Sequence, residues 1–259
     1  SPVRVMDMHD AKAAMPAHRY ERAPGGIGPD DSLQRLAAWV APGSTVLELG
    51  PASGYFTRRL RDGLGCTVDA VELDPAMAEQ ARPYCRRLVL GDLAQLDLEH
   101  ALGGARYQVI VAADVIEHVA HAEPVLEQLK TLLAPGGMLL VSVPNVAYAG
   151  LVAALLEGHF EYRDEGLLDR SHLRFFTRDS LAALLARCGL HPHDWAPVFR
   201  PLLESEFRLR LETLPVALRE ALLAPPHALC YQWLVRAGME PPPAPPAEPP
   251  PCRADAFPL

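Results

Sequence analysis

The stretch that most constrains the fold is a short apolar strand followed directly by a turn of small residues. Residues 46–49 are Val-Leu-Glu-Leu, and residues 50–54 are Gly-Pro-Ala-Ser-Gly, before a helical sequence that starts at Tyr55. A nearly continuous apolar run of this length is typical of a strand buried in a parallel sheet. The glycines let a ligand approach the backbone where the strand ends, which is where open α/β sheets bind ligands. Glu48 must find a partner, because an isolated buried carboxylate is costly.

The rest of the chain alternates strand-like and helix-like segments. This alternation predicts an α/β fold with a doubly wound, mostly parallel seven-stranded sheet and helices on both faces. The predicted strands are residues 45–49, 67–73, 87–90, 107–113, 138–143, 190–199 and 227–236.

Composition divides the chain into an arm, a domain and a tail. Residues 1–30 hold several prolines and glycines, and we expect a loop-rich arm that leads into the domain. Residues 31–237 form the predicted domain, with a charged helical insertion at residues 200–225 before the last strand. Residues 238–259 are dominated by proline, which predicts an extended, disordered tail that links to another domain or partner.

Charge and cysteine content exclude several classes of protein. The formal charge of −8 disfavours a large surface that tracks nucleic-acid phosphates. The five cysteines contain no Cys-x-x-Cys pair, which favours reduced thiols in the cytoplasm over a disulfide frame or a zinc site. Residues 131–156 carry no charge, but Pro135, Gly136 and Pro144 divide them into shorter elements, so we expect no membrane span.

The glycine turn carries a family resemblance. Residues 48–54, Glu-Leu-Gly-Pro-Ala-Ser-Gly, resemble the first motif of class I S-adenosylmethionine-dependent methyltransferases, acid-x-Gly-x-x-x-Gly, although positions 51 and 52 differ from its commonest form. The resemblance covers roughly residues 18–200 and, less securely, the final strand. It implies a Rossmann-like methyltransferase fold, with S-adenosylmethionine as cofactor and S-adenosylhomocysteine as product. It also implies cofactor contacts from Glu48, Gly50, Ala52, Gly54 and Tyr55, and an arm, residues 1–30, that folds over the cofactor or acceptor pocket.

Residues at the ends of three further strands complete the expected cofactor site. Glu72 follows the turn by roughly twenty residues, where a carboxylate can accept hydrogen bonds from both ribose hydroxyls. Leu73 lies beside it. The resemblance implies that Asp92 meets the adenine amine, that the backbone of Leu93 lies at the adenine ring, and that Asp114 borders the sulfonium.

Methyl transfer requires alignment of the acceptor and, where a proton must leave, a base. His172 lies in residues 167–177, which resemble a segment near the acceptor site of bacterial methyltransferases of sugar and polysaccharide synthesis and, more distantly, of ubiquinone O-methyltransferases. We expect His172 to be the general base, with His118 as a second catalytic candidate. The alternative is a structural histidine that caps the following helix. Further candidates near the crevice are Tyr148, His159, Tyr162 and Arg174.

A metal site is the less favoured alternative. Asp114, Glu117, His118 and His172 resemble the acid-x-x-Glu-His…His set that holds a divalent ion in small-RNA 3′-end methyltransferases. Two carboxylates and two imidazoles suit such an ion. The competing interpretation places Glu117 at a helix start, where it complements the helix dipole, with His118 packed beside the cofactor.

Together these features predict a cytoplasmic methyltransferase that acts on a small or carbohydrate-like acceptor, at oxygen. The alternatives are metal-assisted transfer to a vicinal diol such as an RNA 3′ end, or a catalytically silent cofactor-binding module that serves a larger partner. Nucleic acid is the less expected partner because of the acidic charge.

Overall fold

Seven strands form one mixed sheet in the computed structural model, which describes residues 32–252. The order across the sheet is β3-β2-β1-β4-β5-β7-β6. The first five strands in this order are parallel, and β7 runs antiparallel to both β5 and β6. The predicted fold class is confirmed. The strands are β1 Thr45–Leu49, β2 Thr67–Glu72, β3 Arg87–Leu90, β4 Tyr107–Ala113, β5 Leu133–Pro144, β6 His191–Phe199 and β7 Cys230–Gly238.

Side-chain caps fix where several helices begin. Asp74 accepts hydrogen bonds from the backbone N–H of Ala76 at 2.7 Å and of Met77 at 3.2 Å, and Pro75 opens α3. Thr177 caps α7 with the reciprocal capping box expected of a Thr at this position. The helices are α1 Ser32–Ala38, α2 Tyr55–Arg58 (continued by a π-helical turn, Arg59–Gly63), α3 Pro75–Ala81, α4 Leu98–Ala101, α5 Ala122–Leu132, α6 Ala149–Leu156, α7 Arg178–Arg187 and α8 Val216–Leu223.

The sheet separates two apolar cores because successive strand residues point to opposite faces. In β4, Ile110 and Ala112 pack with α4, α5 and α7, whereas Val109 and Val111 pack with α1 and α2. Both faces are therefore buried, which explains why the central strands are apolar almost throughout.

A third apolar cluster lies beyond the carboxyl end of β5. It unites residues 148–168 with residues 202–231, including Tyr148, Leu167 and Tyr231. The region expected to be a helical insertion, residues 200–225, contains one α-helix, α8, and two single-turn 3₁₀ helices. Contacts to the third cluster, more than helix formation, order this region.

The proline-rich tail is extended but lies against the domain as far as residue 252. Glu248 pairs with Arg178 at 2.6 Å, and the backbone N–H of Cys252 donates to the carbonyl of Pro226 at 2.9 Å. This ion pair and an apolar contact of Cys252 with the third cluster join this part of the tail to the domain. The expected arm, residues 1–30, lies outside the described residues. Within residues 32–252 no helix is long and apolar enough to cross a membrane.

Candidate active site

A large cleft of about 1340 Å³ opens at the edge of the sheet where β1 and β4 end and where the antiparallel β7 begins. The glycine turn after β1 forms one wall. The end of β4 and the segment that contains His172 form the floor, and residues from 198 to 210 with the first residues of β7 form the opposite wall. Of the residues expected to contact the cofactor, the cleft is lined by Glu48, Gly50, Ala52, Tyr55 and Asp114.

The glycine turn is held in a left-handed backbone conformation at three positions. The φ angles are 61° at Gly50, 49° at Ala52 and 81° at Gly54. Gly54 faces a second constraint, because a Cβ at this residue would lie 2.7 Å from Cα of Ala81. Glycine is therefore needed at Gly54 for the turn to pack against α3, while Ala52 adopts a conformation that costs a residue with a side chain some strain.

Glu48 is buried beneath the turn and has the partner that the sequence requires. Its carboxyl accepts a hydrogen bond from the Thr57 hydroxyl at 2.7 Å. Burial, together with the nearby charge of Glu72, outweighs this bond and raises the pKa of Glu48 to about 7. The pKa of this carboxyl, which lines the cleft, therefore lies close to neutral pH.

Glu72 braces the turn, a role that sequence reasoning missed. One carboxylate oxygen accepts from the backbone N–H of Ala52 at 3.0 Å, and the other accepts from Leu73 at 2.8 Å and Asp74 at 2.9 Å. The side chain is 7% exposed. It therefore joins the end of β2 to the glycine turn, and Leu73 beside it is half exposed.

The expected adenine-side residues lie at the end of β3, outside the lining of the cleft. The Asp92 carboxylate accepts from the backbone N–H of Ala94 at 2.9 Å, which forms a turn. Leu93 is partly buried and packs against the core that contains Ile110. Because β3, β2, β1 and β4 are neighbours in that order, their carboxyl ends form one continuous edge.

The Asp114 carboxylate is bonded to neighbouring strands of the sheet. Its Oδ1 accepts from the Ser142 hydroxyl at 3.0 Å and from the side-chain amide of Gln232 on β7, and its φ is 53°. The four-residue metal set expected from the sequence is therefore only partly assembled: Glu117, His118 and His172 converge, with ligand atoms within 4.8 Å of one another, and Asp114 is not among them.

His118 and His172 form an edge-to-face pair with ring centroids 4.8 Å apart. The Nδ1 of His118 lies 3.2 Å from the carbonyl of Ser171, and the Nδ1 of His172 lies 3.2 Å from the carbonyl of Leu167. A carbonyl only accepts, so the contact of His172 assigns its ring proton to Nδ1 and leaves Nε2 with a lone pair. The Nδ1 of His118 also lies 3.2 Å from the Ser171 hydroxyl, which can donate or accept. Burial and the neighbouring His172 lower the pKa of His118, which favours its neutral form.

Glu117 completes this cluster as a carboxyl without a partner. The residue is 1% exposed, and among residues 32–252 neither carboxyl oxygen has a hydrogen-bond partner. Burial, with the charge of Asp114, raises the pKa of Glu117 well above its ordinary value. Its backbone carbonyl accepts from the N–H of Leu173 and of Arg174, so the chain at Glu117 also holds the histidine segment in place.

The far wall was not anticipated from any motif. Arg200 and Arg208 come from the segment between β6 and β7, while Tyr231 and Gln232 open β7. Their placement depends on the antiparallel direction of β7, which brings the start of that strand to the edge where the parallel strands end. The side-chain amide of Gln232 donates to Asp114, which joins β7 to the end of β4. No local sequence pattern predicts this contact, because the two residues are 118 positions apart.

Comparison with known proteins agrees with this architecture. A family model described as a methyltransferase domain matches residues 17–193. The chain is 28% identical over 169 residues to the ubiquinone biosynthesis O-methyltransferase of Dinoroseobacter shibae, covering 62% of this chain and 65% of that protein. It is 26% identical over 183 residues to the malonyl-[acyl-carrier protein] O-methyltransferase of Geobacter sulfurreducens, covering 70% and 65%. The match thus spans just under two thirds of the length of these two relatives.

A solved structure of low sequence identity shares the fold. Magnesium protoporphyrin IX methyltransferase from Synechocystis, with bound S-adenosylhomocysteine, superposes with a TM-score of 0.57 at 15% identity, covering 85% of this chain and 90% of that one. At this identity the likeness shows the fold alone.

Proposed function

The chain belongs to the class I S-adenosylmethionine-dependent methyltransferase family, and on that premise we propose that it moves a methyl group from S-adenosylmethionine to an oxygen atom of a small acceptor. The observation that carries the proposal is that the glycine turn and the His118–His172 pair open into the same cleft. The names of the two relatives, both O-methyltransferases, support oxygen as the acceptor atom.

The cofactor would lie along the edge formed by β3, β2, β1 and β4. We assign its methionine part to the backbone of Gly50 and Ala52, and its ribose to Glu72, whose carboxylate retains lone pairs beside the three N–H bonds it accepts. Leu73 is exposed next to Glu72, where an adenine ring would cover it, and Asp92 and Leu93 would lie at the far side of that ring. S-adenosylhomocysteine would leave this groove after transfer.

We assign to the histidine pair the acceptance of the proton that leaves the acceptor hydroxyl. In an in-line displacement the sulfonium already activates the methyl carbon, so the protein aligns the acceptor hydroxyl and accepts its proton. We assign proton acceptance to Nε2 of His172, because Nδ1 is bonded to a backbone carbonyl. His118 packs against this ring and would orient it.

The acceptor is proposed to be small or carbohydrate-like, with residues 31–237 as the catalytic domain and the proline-rich tail as a link to a partner. We keep the cytoplasm as the proposed location, on the ground that the cysteines are free thiols. The cleft volume of about 1340 Å³ is ample for the acceptor together with the methionine end of the cofactor, whose ribose and adenine would lie beyond the cleft lining.

The test combines binding and turnover. Calorimetric titration with S-adenosylhomocysteine should show binding. Transfer of labelled methyl from S-adenosylmethionine to a panel of sugars, phenols and quinol precursors should be lost in His172→Gln and retained in His100→Gln, which changes an exposed histidine of α4. Absence of binding would refute the proposal. Tight binding without turnover on any acceptor would favour a silent cofactor-binding module.

A second candidate, metal-assisted transfer to a vicinal diol, is favoured by Glu117. Its buried carboxyl has no partner among residues 32–252 and shares a 4.8 Å cluster with two imidazoles, a donor set suited to a divalent ion. A bound ion would supply Lewis-acid activation of the diol. Titration of the protein with Mn²⁺, followed by its magnetic resonance signal, should show one site that Glu117→Gln removes; no saturable binding would exclude this candidate.

A further inference from the structure

Three arginines line the wall of the cleft opposite the glycine turn. Arg210 pairs with Glu212 at 3.8 Å, whereas the other two have no carboxylate partner among residues 32–252. Arg200 and Arg208 both face this space. Elsewhere in residues 32–252 arginines commonly pair with acids, as Arg86 does with Asp69 at 2.6 Å and Arg236 with Asp194 at 2.5 Å. No ion pair within 4.0 Å engages Arg200 or Arg208 among the described residues, although Glu204 and Glu206 lie in the same wall and Glu165 lines the same cleft.

Arg200 is held in an orientation suited to an anion. Its guanidinium carbon lies 3.8 Å from the centre of the Tyr231 ring, against the ring face. A guanidinium that stacks through its face keeps its N–H donors in the plane, where they can form a forked pair with a carboxylate or a phosphate. Tyr231 thus positions the cation without occupying its donors.

Tyr231 is itself fixed by a network beneath the wall. Its hydroxyl donates to the Glu206 carboxylate, with both oxygens at 3.0 Å, and the same carboxylate accepts the backbone N–H of Leu167 at 2.8 Å. Arg163 donates to the Glu206 carbonyl at 3.0 Å. The Glu206 carboxylate is therefore held by Tyr231 and Leu167, and no ion pair within 4.0 Å joins it to Arg200 or Arg208 among the described residues.

The segment that presents Arg208 is ordered by this network and strained at Arg208. Its φ of 47° lies in the left-handed region, which a residue with a long side chain rarely adopts. Strain of this kind persists where surrounding contacts impose it, and such positions cluster at ligand sites. Here the backbone N–H of Arg208 donates to the carbonyl of Ser205 at 3.1 Å, which closes a turn at this residue.

The arginine wall is close to the reacting end of the cofactor groove. Gln232, the neighbour of Tyr231 in β7, donates its side-chain amide to Asp114, the residue that ends β4 at the floor of the cleft. Arg200 and the histidine pair line the same cleft, so one acceptor can contact both.

We propose that Arg200 and Arg208 form an anion subsite, and that the acceptor carries a carboxylate or a phosphate group close to the hydroxyl that is methylated. This inference rests on the proposed function and narrows its substrate class.

The experiment uses matched pairs of probes. Binding to the protein is measured by calorimetry, with and without S-adenosylhomocysteine, for a phenol carboxylate against its carboxamide and for a sugar phosphate against the free sugar. Inorganic phosphate serves as the minimal probe. The two pairs separate a carboxylate from a phosphate source, and the arm without S-adenosylhomocysteine gives a result even if the proposed cofactor does not bind.

We expect the anionic member of one pair to bind about 10- to 100-fold more tightly than its neutral partner, the range for hydrogen bonds to a charged group. Arg200→Gln and Arg208→Gln should each remove most of this difference and leave the dissociation constant of S-adenosylhomocysteine unchanged. Arg187→Gln, which changes an exposed arginine at the end of α7, should keep it.

Three results would overturn the anion subsite. These are equal binding of anionic and neutral probes, a preference that survives in both arginine variants, and absence of binding for every anionic probe. If the wild-type protein does not bind S-adenosylhomocysteine, the proposed function is refuted instead. Failure of the anion subsite and failure of the proposed function are therefore distinguishable.

Discussion

Glu48 makes the stability of this protein depend on pH in a direction opposite to that of most carboxylates. Its pKa is raised from 4.5 to about 7 by burial, and its one side-chain bond comes from Thr57. Below pH 4.5 the group is protonated in both folded and unfolded chains and contributes nothing. Between pH 4.5 and 7 the unfolded chain loses the proton while the folded chain keeps it, so stability falls as pH rises.

The size of the effect follows from the shift. A shift of about 2.5 pH units corresponds to roughly 3 kcal/mol, with the loss complete above pH 7. In Glu48→Gln the side-chain carbonyl still accepts from Thr57, and the ionisable proton is gone. The variant should therefore be more stable than the wild type at pH 8, by an amount that disappears towards pH 4.5.

The assay is urea unfolding at fixed ionic strength from pH 4.5 to 8, with Glu79→Gln as control because Glu79 is an exposed acid of α3. The free energy of unfolding of the wild type is subtracted from that of Glu48→Gln at each pH. Because both proteins contain Glu117, whose pKa is also raised, its contribution cancels and the difference reports on Glu48. A difference that stays constant across this range would refute a buried, neutral Glu48.

Three further predictions test the site. Gly54→Ala should lower stability by about 1–3 kcal/mol and weaken S-adenosylhomocysteine binding, because the new Cβ would lie 2.7 Å from Cα of Ala81 and the alanine would have to adopt φ 81°. Thermal melts should show a smaller loss for the control Gly158→Ala, because Gly158 has φ 79° but open space around it. Glu72→Ala should weaken that binding by about 1.5–3 kcal/mol in calorimetry, and an unchanged dissociation constant would remove Glu72 from the ribose site. Tyr107→Phe should cost about 1–2 kcal/mol in urea unfolding, since the buried Asp69 loses a donor at 2.8 Å; a neutral result would mean that Arg86 alone satisfies Asp69.

The sequence predicted the elements that depend on local pattern. The apolar runs of β1 and β4, the glycine turn and the Thr177 cap are each recorded in a few adjacent residues, so periodicity and residue type were enough. The starts of β6 and β7 were displaced by one to three residues, and β5 begins earlier because Leu133 pairs with Tyr107 across an irregular register.

The parts that escaped prediction depend on contacts between distant residues. His118 and His172 are 54 positions apart, and their pairing follows from the backbone bonds between Glu117 and Leu173–Arg174. Asp114 was expected beside them, yet Gln232 and Ser142 draw its carboxylate to β7 and β5. Glu72 was expected to face only a ligand, and the curl of the glycine turn places the Ala52 N–H against it. Side-chain direction at a strand end is set by tertiary neighbours, which composition and spacing do not record.

The pairing of β6 with β7 makes the arginine wall replaceable in evolution. Phe199 and Cys230 are register partners, so the residues between them form an excursion whose two ends are fixed side by side in the sheet. Where this excursion is exposed, outside its contacts with the third cluster, lengthening it changes the closure entropy only logarithmically, by about 0.6 kcal/mol for each doubling. The parallel half of the sheet, which holds the glycine turn, is unaffected by that change. Acceptor preference can therefore drift through insertions and deletions between residues 200 and 229 while the cofactor groove stays constant.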